Sequence, residues 1–212
     1  IMHLRAILAA AILAFLPAAA DAAGKPGEFD YYVLSLSWSP SFCQIKHKTS
    51  GSQCGKSFDL VVHGLWPQYE TNGWPQFCVA PPPAVSPRVM RQAMTFTPDS
   101  DLIKHEWAKH GTCSGDTAND YFAHAASAFH KIKAPVSFDQ PHSLQTMDAA
   151  MIARLFITAN PGMTDKSISV TCQESLLQEI RVCLDRNLNY RDCAPDVQAQ
   201  ACSTSMTLPP VK

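Results

Sequence analysis

An α+β domain with a largely antiparallel sheet and several packed helices is predicted for this chain of 212 residues. Three observations lead there. Strand-like segments rich in aromatic and β-branched residues cluster near the start and in the last third. Helix-like amphipathic segments fill the middle. The two kinds of segment do not alternate as they do in parallel βαβ folds. The length suits one domain with a substantial core, and neither an internal repeat nor an interdomain linker interrupts it.

Taken in order, Phe29 to Trp38 alternates partially and reads as a strand, ended by Ser39-Pro40. Residues 46–57 are polar and glycine-containing, a loop bracketed by Cys43 and Cys54. Phe58 to His63 reads as a second strand, closed by Gly64 and Pro67. Residues 70–88, with Asn72-Gly73, Pro75 and Pro81-Pro82-Pro83, form an extended proline-stiffened loop. Pro98-Asp99-Ser100-Asp101 supplies helix-start chemistry and Gly111 a stop, predicting a helix over 100–110. Thr117 to Lys133 has helical spacing ended by Pro135. Ser143 to Ala159 is a third amphipathic helix, ended by Asn160-Pro161-Gly162. Ser167 to Thr171 and Glu179 to Leu184 read as strands.

Composition narrows the class. Hydrophobic residues make up 46% and charged residues 17%, which excludes a disordered tail protein. Net charge is −1, so a polyanion must be held by a local cluster of cations rather than by the overall field. Residues 1–22 are expected to be a cleaved signal peptide. Met2 to Arg5 is a short positive start, Ala6 to Leu16 is an apolar run too short to span a bilayer comfortably, and Ala20-Asp21-Ala22 is a small-residue cleavage pattern. Cleavage is placed after Ala22, with Ala20 as the rival, leaving a domain over 23–212 that is secreted or periplasmic, monomeric and not membrane-bound. All eight cysteines follow that segment, and none forms a C-x-x-C pair. An even count in an exported protein reads as disulfides, with about 105 possible pairings.

Two segments carry the chemistry. The first reads Val61-Val62-His63-Gly64-Leu65-Trp66-Pro67-Gln68; the second reads His105-Glu106-Trp107-Ala108-Lys109-His110-Gly111-Thr112-Cys113. On a helix each residue turns about 100°. With His105 at zero, Lys109 lies at about 40°, Glu106 at about 100° and His110 at about 140°, so four polar groups share one face. Trp107, at about 200°, points to the core. Such a stripe is costly to bury, so the plain alternative is a solvated face. His63 ends an apolar strand, where a lone histidine is commonly structural; its pairing with the stripe favours a functional reading. Histidine titrates near 6.5, so one neutral and one protonated imidazole can serve as base and acid without a metal.

The segments His63-Gly64-Leu65-Trp66-Pro67 and His105-Glu106-Trp107-x-Lys109-His110-Gly111 resemble the two active-site segments of the T2 family of secreted ribonucleases. Tyr32 to Trp38, Cys43, and Cys172 through Leu184 match in order, so the resemblance covers essentially the whole mature chain. It implies a metal-independent, cofactor-free endoribonuclease acting on single-stranded RNA. His110 would be the base that takes the 2′-hydroxyl proton, and His63 the acid that protonates the departing 5′-oxygen. Glu106 and Lys109 would support the phosphorane-like transition state, and His105 would hold the phosphate. The product would be a 2′,3′-cyclic phosphate, then a 3′-phosphate; DNA, lacking the 2′-hydroxyl, would not be cleaved.

The same resemblance implies bridges Cys78–Cys113, Cys172–Cys202 and Cys183–Cys193, leaving Cys43–Cys54. The chain departs from plant and fungal members at Leu102 and Ile103, where they usually carry Phe-Trp, and at Ser37, where they commonly carry glutamine. Trp66 and Trp74 remain as candidate base-stacking surfaces, with Gln68 as a candidate reader of a base edge. A zinc peptidase is disfavoured because its histidines sit at i and i+4 on a helix, whereas His105 and His110 are at i+5. A secreted binding protein with a degenerate ribonuclease site stays open as the other reading.

Overall fold

The computed structural model describes residues 24–71 and 73–211. The leader expected over residues 1–22 lies outside them, as does Asn72. Strand β1 (Tyr31–Trp38) is central: it pairs antiparallel with β2 (Leu60–Gln68) on one side and with β5 (Leu176–Leu184) on the other. Strand β4 (Ile168–Gln173) pairs antiparallel with β5. The short β3 (Gln145–Met147) and β6 (Met206–Leu208) extend the sheet, and Leu176 with Thr207 makes its single parallel pairing among the described residues. The α+β class with a largely antiparallel sheet is therefore what the chain builds.

The two sheet faces differ because side chains alternate along a strand. Tyr32, Leu34, Leu36 and Trp38 of β1 enter the main core with Val62, Ile180 and Val182. Tyr31 and Val33 enter a smaller cluster on the other face, with Cys183, Ala194 and Val197. Three of the longer helices supply much of the helical side of the main core, which Val89 and Ala93 also enter. α3 (Ser100–Lys109) contributes Ile103 and Trp107, α4 (Ala118–Lys131) contributes Tyr121, Phe122, Ala125 and Ala128, and α5 (Ala149–Ala159) contributes Ile152 and Phe156. Burying each large apolar side chain stabilises the fold by roughly 1.5–3 kcal/mol. α3 begins as its sequence predicts: the Asp99 carboxylate accepts from the backbone N–H groups of Asp101 and Leu102, an N-cap worth about 1 kcal/mol.

Local expectations fail where proline or long-range pairing intervenes. Ser39-Pro40 does not merely end β1; it opens α1 (Ser39–Ile45), because proline is pre-organised for the first turn of a helix. Ser86-Pro87 does the same for α2 (Pro87–Ala93), with the Ser86 hydroxyl accepting from Val89, so the proline-rich loop stops short of residue 88. The helix expected over 143–159 starts only at Ala149, capped by Asp148, because residues 145–147 pair with β6 instead. β2 also runs through Gly64 and Pro67 to Gln68.

Four disulfides close the domain: Cys43–Cys54, Cys78–Cys113, Cys172–Cys202 and Cys183–Cys193. The last two flank the short helix α6 (Pro195–Gln198), holding it beside the smaller cluster. No helix among the described residues is long and apolar enough to cross a membrane.

Candidate active site

The continuation of β2 is made possible by one irregularity. Ser35 of β1 pairs with Gly64, but the next residue, Leu36, pairs with Val62, so His63 is an extra residue in a β-bulge. A bulge shifts the alternation by one. Val62 and Leu65 thus both enter the main core, while Trp66 turns to the opposite face beside Val33 and His63 projects on the bulge, about a third exposed. The apolar pattern of the segment, with Leu60 and Val62 on one phase and Leu65 on the next, carries this slip.

A cleft of about 280 Å³ opens over that face. It is lined by His63, Trp66 and Gln68 from β2, Trp74 from the loop that follows β2, and His105, Glu106, Lys109 and His110 from the end of α3. Every catalytic and substrate-binding residue predicted from the sequence therefore borders one cavity. A larger groove of about 470 Å³ lies elsewhere, between α1 and Pro209-Pro210; of the paired histidine segments it contains nothing. The α3 stripe is split by burial: His105 is exposed and Lys109 half-buried, while Glu106 and His110 are 2% and 5% exposed. Burying part of a charged stripe is tolerable here because Glu106 is compensated. Its Oε2 accepts from Trp66 Nε1 at 2.7 Å, and its Oε1 lies 3.6 Å from His63 Nε2. The carboxylate thus serves β2 rather than His110, one turn along its own helix.

Close packing holds this junction. A Cβ on Gly64 would overlap the Glu106 carboxylate and the Trp66 indole nitrogen, and one on Gly111 would overlap Trp107 and Tyr121. The Cys78–Cys113 bridge ties the Trp74 loop to the turn after α3, and Phe77 N–H donates to the Lys109 carbonyl at 2.8 Å. Trp66 touches both imidazoles, with ring centroids 5.2 Å from His63 and 5.5 Å from His110, and Arg181 sits over its ring at 5.3 Å. Its indole is engaged by the protein itself. Gln68 is buried and its amide donates to the Pro67 carbonyl, whereas Trp74 is 43% exposed at the cleft. Ile103, at one of the positions that depart from the plant and fungal pattern, is a fully buried core residue.

The strand over 179–184 supplies residues to which the sequence reading assigned no role. Glu179 Oε1 lies 2.5 Å from His63 Nδ1, and its Oε2 accepts from Arg181 Nε at 2.9 Å and a terminal guanidinium nitrogen at 2.7 Å. The available signal was a Glu and an Arg two apart in an apolar strand, on one face. Gln178, Val197 and Gln200 complete that wall.

Electrostatics separates the two histidines. Burial works against charge on His63, but the Glu179 hydrogen bond and the negative charges of Glu179 and Glu106 outweigh it, raising its pKa above the ordinary 6.5. Burial lowers His110 to about 3, aided by the positive charges of Lys109, His63 and His105. His105, exposed on one side, is also lowered, by partial desolvation against the cleft wall and then by Lys109 and His63. Burial pushes Glu106 up to about 7, against the pull of His63 and the Trp66 hydrogen bond. Glu179 is held down at about 2: burial opposes this, but His63 and Arg181 prevail.

The model of the ribonuclease T2 family matches residues 29–193. The chain belongs to this family. A ribonuclease from Aeromonas hydrophila is 40% identical over 117 residues, covering 55% of this chain and 53% of that protein. The chain thus spans about half the length of that relative, and 44% of a probable ribonuclease from Haemophilus influenzae. Ribonuclease I of Escherichia coli is 27% identical over 229 residues, covering 84% of each. Among solved structures, an RNase-related protein from Calystegia sepium aligns with a TM-score of 0.70 at 21% identity, over 87% of this chain and 99% of that one. RNase NT, solved in complex with 5′-AMP, aligns with a TM-score of 0.62 at 21% identity, over 86% and 99%. At those identities the structural likeness establishes a shared T2 fold.

Proposed function

We propose that this T2-family chain is an endoribonuclease that cleaves single-stranded RNA by metal-independent transphosphorylation. The observation that carries the reading is a pair of histidines at one cleft in opposite surroundings: His63 lies against the carboxylates of Glu179 and Glu106, which favour its protonated form, and His110 is buried beside Lys109, which favours its neutral form. Neutral His110 takes the proton of a ribose 2′-hydroxyl. The 2′-oxygen attacks phosphorus, the bond from phosphorus to the 5′-oxygen breaks, and His63 delivers its proton to that oxygen. Each transfer of this kind is typically worth about 10²–10⁴-fold. Lys109 and His105 face the cleft as donors to the non-bridging oxygens. Glu106 keeps a carboxyl beside His63 and anchors Trp66. In a second step the same groups, roles reversed, add water to the 2′,3′-cyclic phosphate to leave a 3′-phosphate.

Trp74 is the exposed aromatic surface at the cleft and serves as the base-stacking platform, with Trp66 as the scaffold for the histidines. Four disulfides suit an oxidising compartment, supporting export to periplasm or medium. The test is cleavage of a mixed-sequence RNA with mass spectrometry of the products. Cyclic-phosphate ends, unaffected by EDTA and absent with 2′-O-methyl RNA or DNA, are expected. Cleavage of 2′-O-methyl RNA, or loss of activity in EDTA with recovery on adding zinc, overturns the mechanism.

A further inference from the structure

The mechanism above uses a protonated His63 but leaves two charged side chains beside it, buried Glu179 and part-buried Arg181, without a role. Glu179 is 3% exposed, and a carboxylate is costly to bury unless its oxygens are satisfied. Both are. Oε1 faces His63 Nδ1 at 2.5 Å, and Oε2 takes the side-on pair of donors from Arg181. Arg181 is itself braced, its other terminal nitrogen donating to Gln200 Oε1 at 2.5 Å and its guanidinium lying over Trp66. The groups meet because β5 and β2 flank β1 on either side: Ser35 pairs with Arg181 across one edge and with Gly64 across the other. The bulge at His63 then brings the imidazole to the face that carries Glu179.

We propose that Glu179, steadied by Arg181, is a positioning residue that clamps Nδ1 of His63 and so reserves Nε2 as the nitrogen that delivers a proton to the leaving 5′-oxygen. The inference rests on the ribonuclease reading and deepens it. A carboxylate can only accept, so Nδ1 keeps its hydrogen in both protonation states. The proton that moves is therefore the one on Nε2, which lies 3.6 Å from Glu106 Oε1, beyond hydrogen-bond reach. When Nε2–H passes its proton to the 5′-oxygen as the phosphorus–oxygen bond breaks, the imidazole is left neutral with Nδ1–H still donated to Glu179. No rearrangement is needed before Nε2 accepts a proton from water in the hydrolytic step. Glu179 touches no substrate in this scheme; it acts through His63.

The charged and titratable groups that face His63 come from two elements. β5 presents Glu179 and Arg181, and the end of α3 presents Glu106, His105, Lys109 and His110. β1 carries Val33, Ser35 and Ser37 on this face, all neutral, with Ser37 paired to Glu179 and the Tyr31 phenol at the start of the strand, near Ala194. Within this set Glu179 is the one in hydrogen-bond contact with the imidazole, and Arg181 opposes it from the same strand.

Two substrates separate proton delivery from mere support of the fold. A dinucleoside phosphate expels a poor alkoxide leaving group that needs an acid, whereas a nucleoside 3′-(p-nitrophenyl phosphate) expels a phenolate that does not. Glu179→Gln should lower kcat on the dinucleotide by about 10- to 100-fold, within the span of general-acid catalysis. The loss on the aryl ester should be at least tenfold smaller. In the pH profile of kcat/KM, Glu179→Gln should move the alkaline limb to lower pH. Arg181→Gln, which frees Glu179 for His63 alone, should move it to higher pH. Glu179→Asp should restore part of the dinucleotide rate. Equal losses on both substrates, or an alkaline limb that stays put or shifts the same way in both variants, overturns the proposal. Arg181→Gln decides the matter alone if Glu179→Gln fails to fold. Should wild-type protein cleave neither substrate, the ribonuclease reading itself fails, an outcome distinct from either.

Discussion

His63 and His110 border the same cleft and touch the same indole, yet the fold gives them opposite neighbours. His63 sits among acceptors: Glu179 at its Nδ1, Glu106 near its Nε2, with Arg181 held one step back by Glu179. His110 sits among basic groups, Lys109 and His105 on its own helix and His63 across the cleft, and its Nδ1 is buried with no hydrogen-bond partner among the described residues. Both rings suffer desolvation, which disfavours the cation. Only His63 has carboxylates to offset it. Two copies of one side chain are thus biased toward opposite protonation states, as the proposed acid and base roles require, by where the buried carboxylates lie rather than by residue type.

The largest test of this contrast removes each ring in turn. His110→Ala should lower kcat by about 10²–10⁴-fold on an RNA and on an aryl phosphodiester alike, since both need the 2′-hydroxyl deprotonated. His63→Ala should cost a similar factor on RNA and far less on the aryl ester. Circular dichroism spectra matching the wild type would show that chemistry and not folding was lost; equal sensitivity of both substrates to His63→Ala would break the division of labour.

Next comes the pH profile. The base works only when neutral, so kcat/KM should rise with pH through the His110 pKa of about 3 and fall as His63 loses its proton above 6.5. Lys109→Met removes the largest cationic contribution at His110 and should move the acid limb upward toward 6.5, along with a rate loss from the missing phosphate donor. An acid limb that remains in place would mean that Lys109 does not hold His110 neutral.

A subtler change attacks the shared scaffold. Gly64→Ala forces a methyl group against the Glu106–Trp66 hydrogen bond. Disturbing a buried, charge-assisted contact of this kind should destabilise by about 1–3 kcal/mol, read as a lowered thermal midpoint, and should weaken activity through both histidines at once. The smallest effect should come from Trp74→Ala, a loss of about 1–3 kcal/mol of base stacking, seen as a raised KM with kcat nearly unchanged and neither pH limb moved. A fall in kcat equal to that of His110→Ala would place Trp74 in the chemistry and not in binding.

The contrast also shows which parts of the site were legible in the sequence. The α3 stripe is a local pattern: residues 105, 106, 109 and 110 fall on one arc because a helix turns about 100° per residue, and Asp99 caps it by contacts within three residues. The two histidine segments were sufficient to suggest the T2 family, and with it the residues that border the cleft. Burial is not legible where it depends on partners. A carboxylate on a stripe argues for solvent until a tryptophan N–H from another strand covers it, as Trp66 covers Glu106. The helices α1 and α2 open on serine followed by proline, a helix-start signal that in sequence reads equally as strand-end or loop punctuation.

What the sequence determined by itself is short-range: the α+β pattern, the helical stripe, an even set of cysteines, and the chemistry available at His63, His105, Glu106, Lys109 and His110. Tertiary structure alone decided the rest. Glu179 stands 116 residues from His63 and reaches it only through the register of β1 against both neighbours and the bulge opposite Ser35. Protonation followed from the same source, because desolvation and charge proximity are properties of packed surroundings. An imidazole carries its ordinary pKa in the sequence; its role as base or acid is set when the sheet and helix close around it.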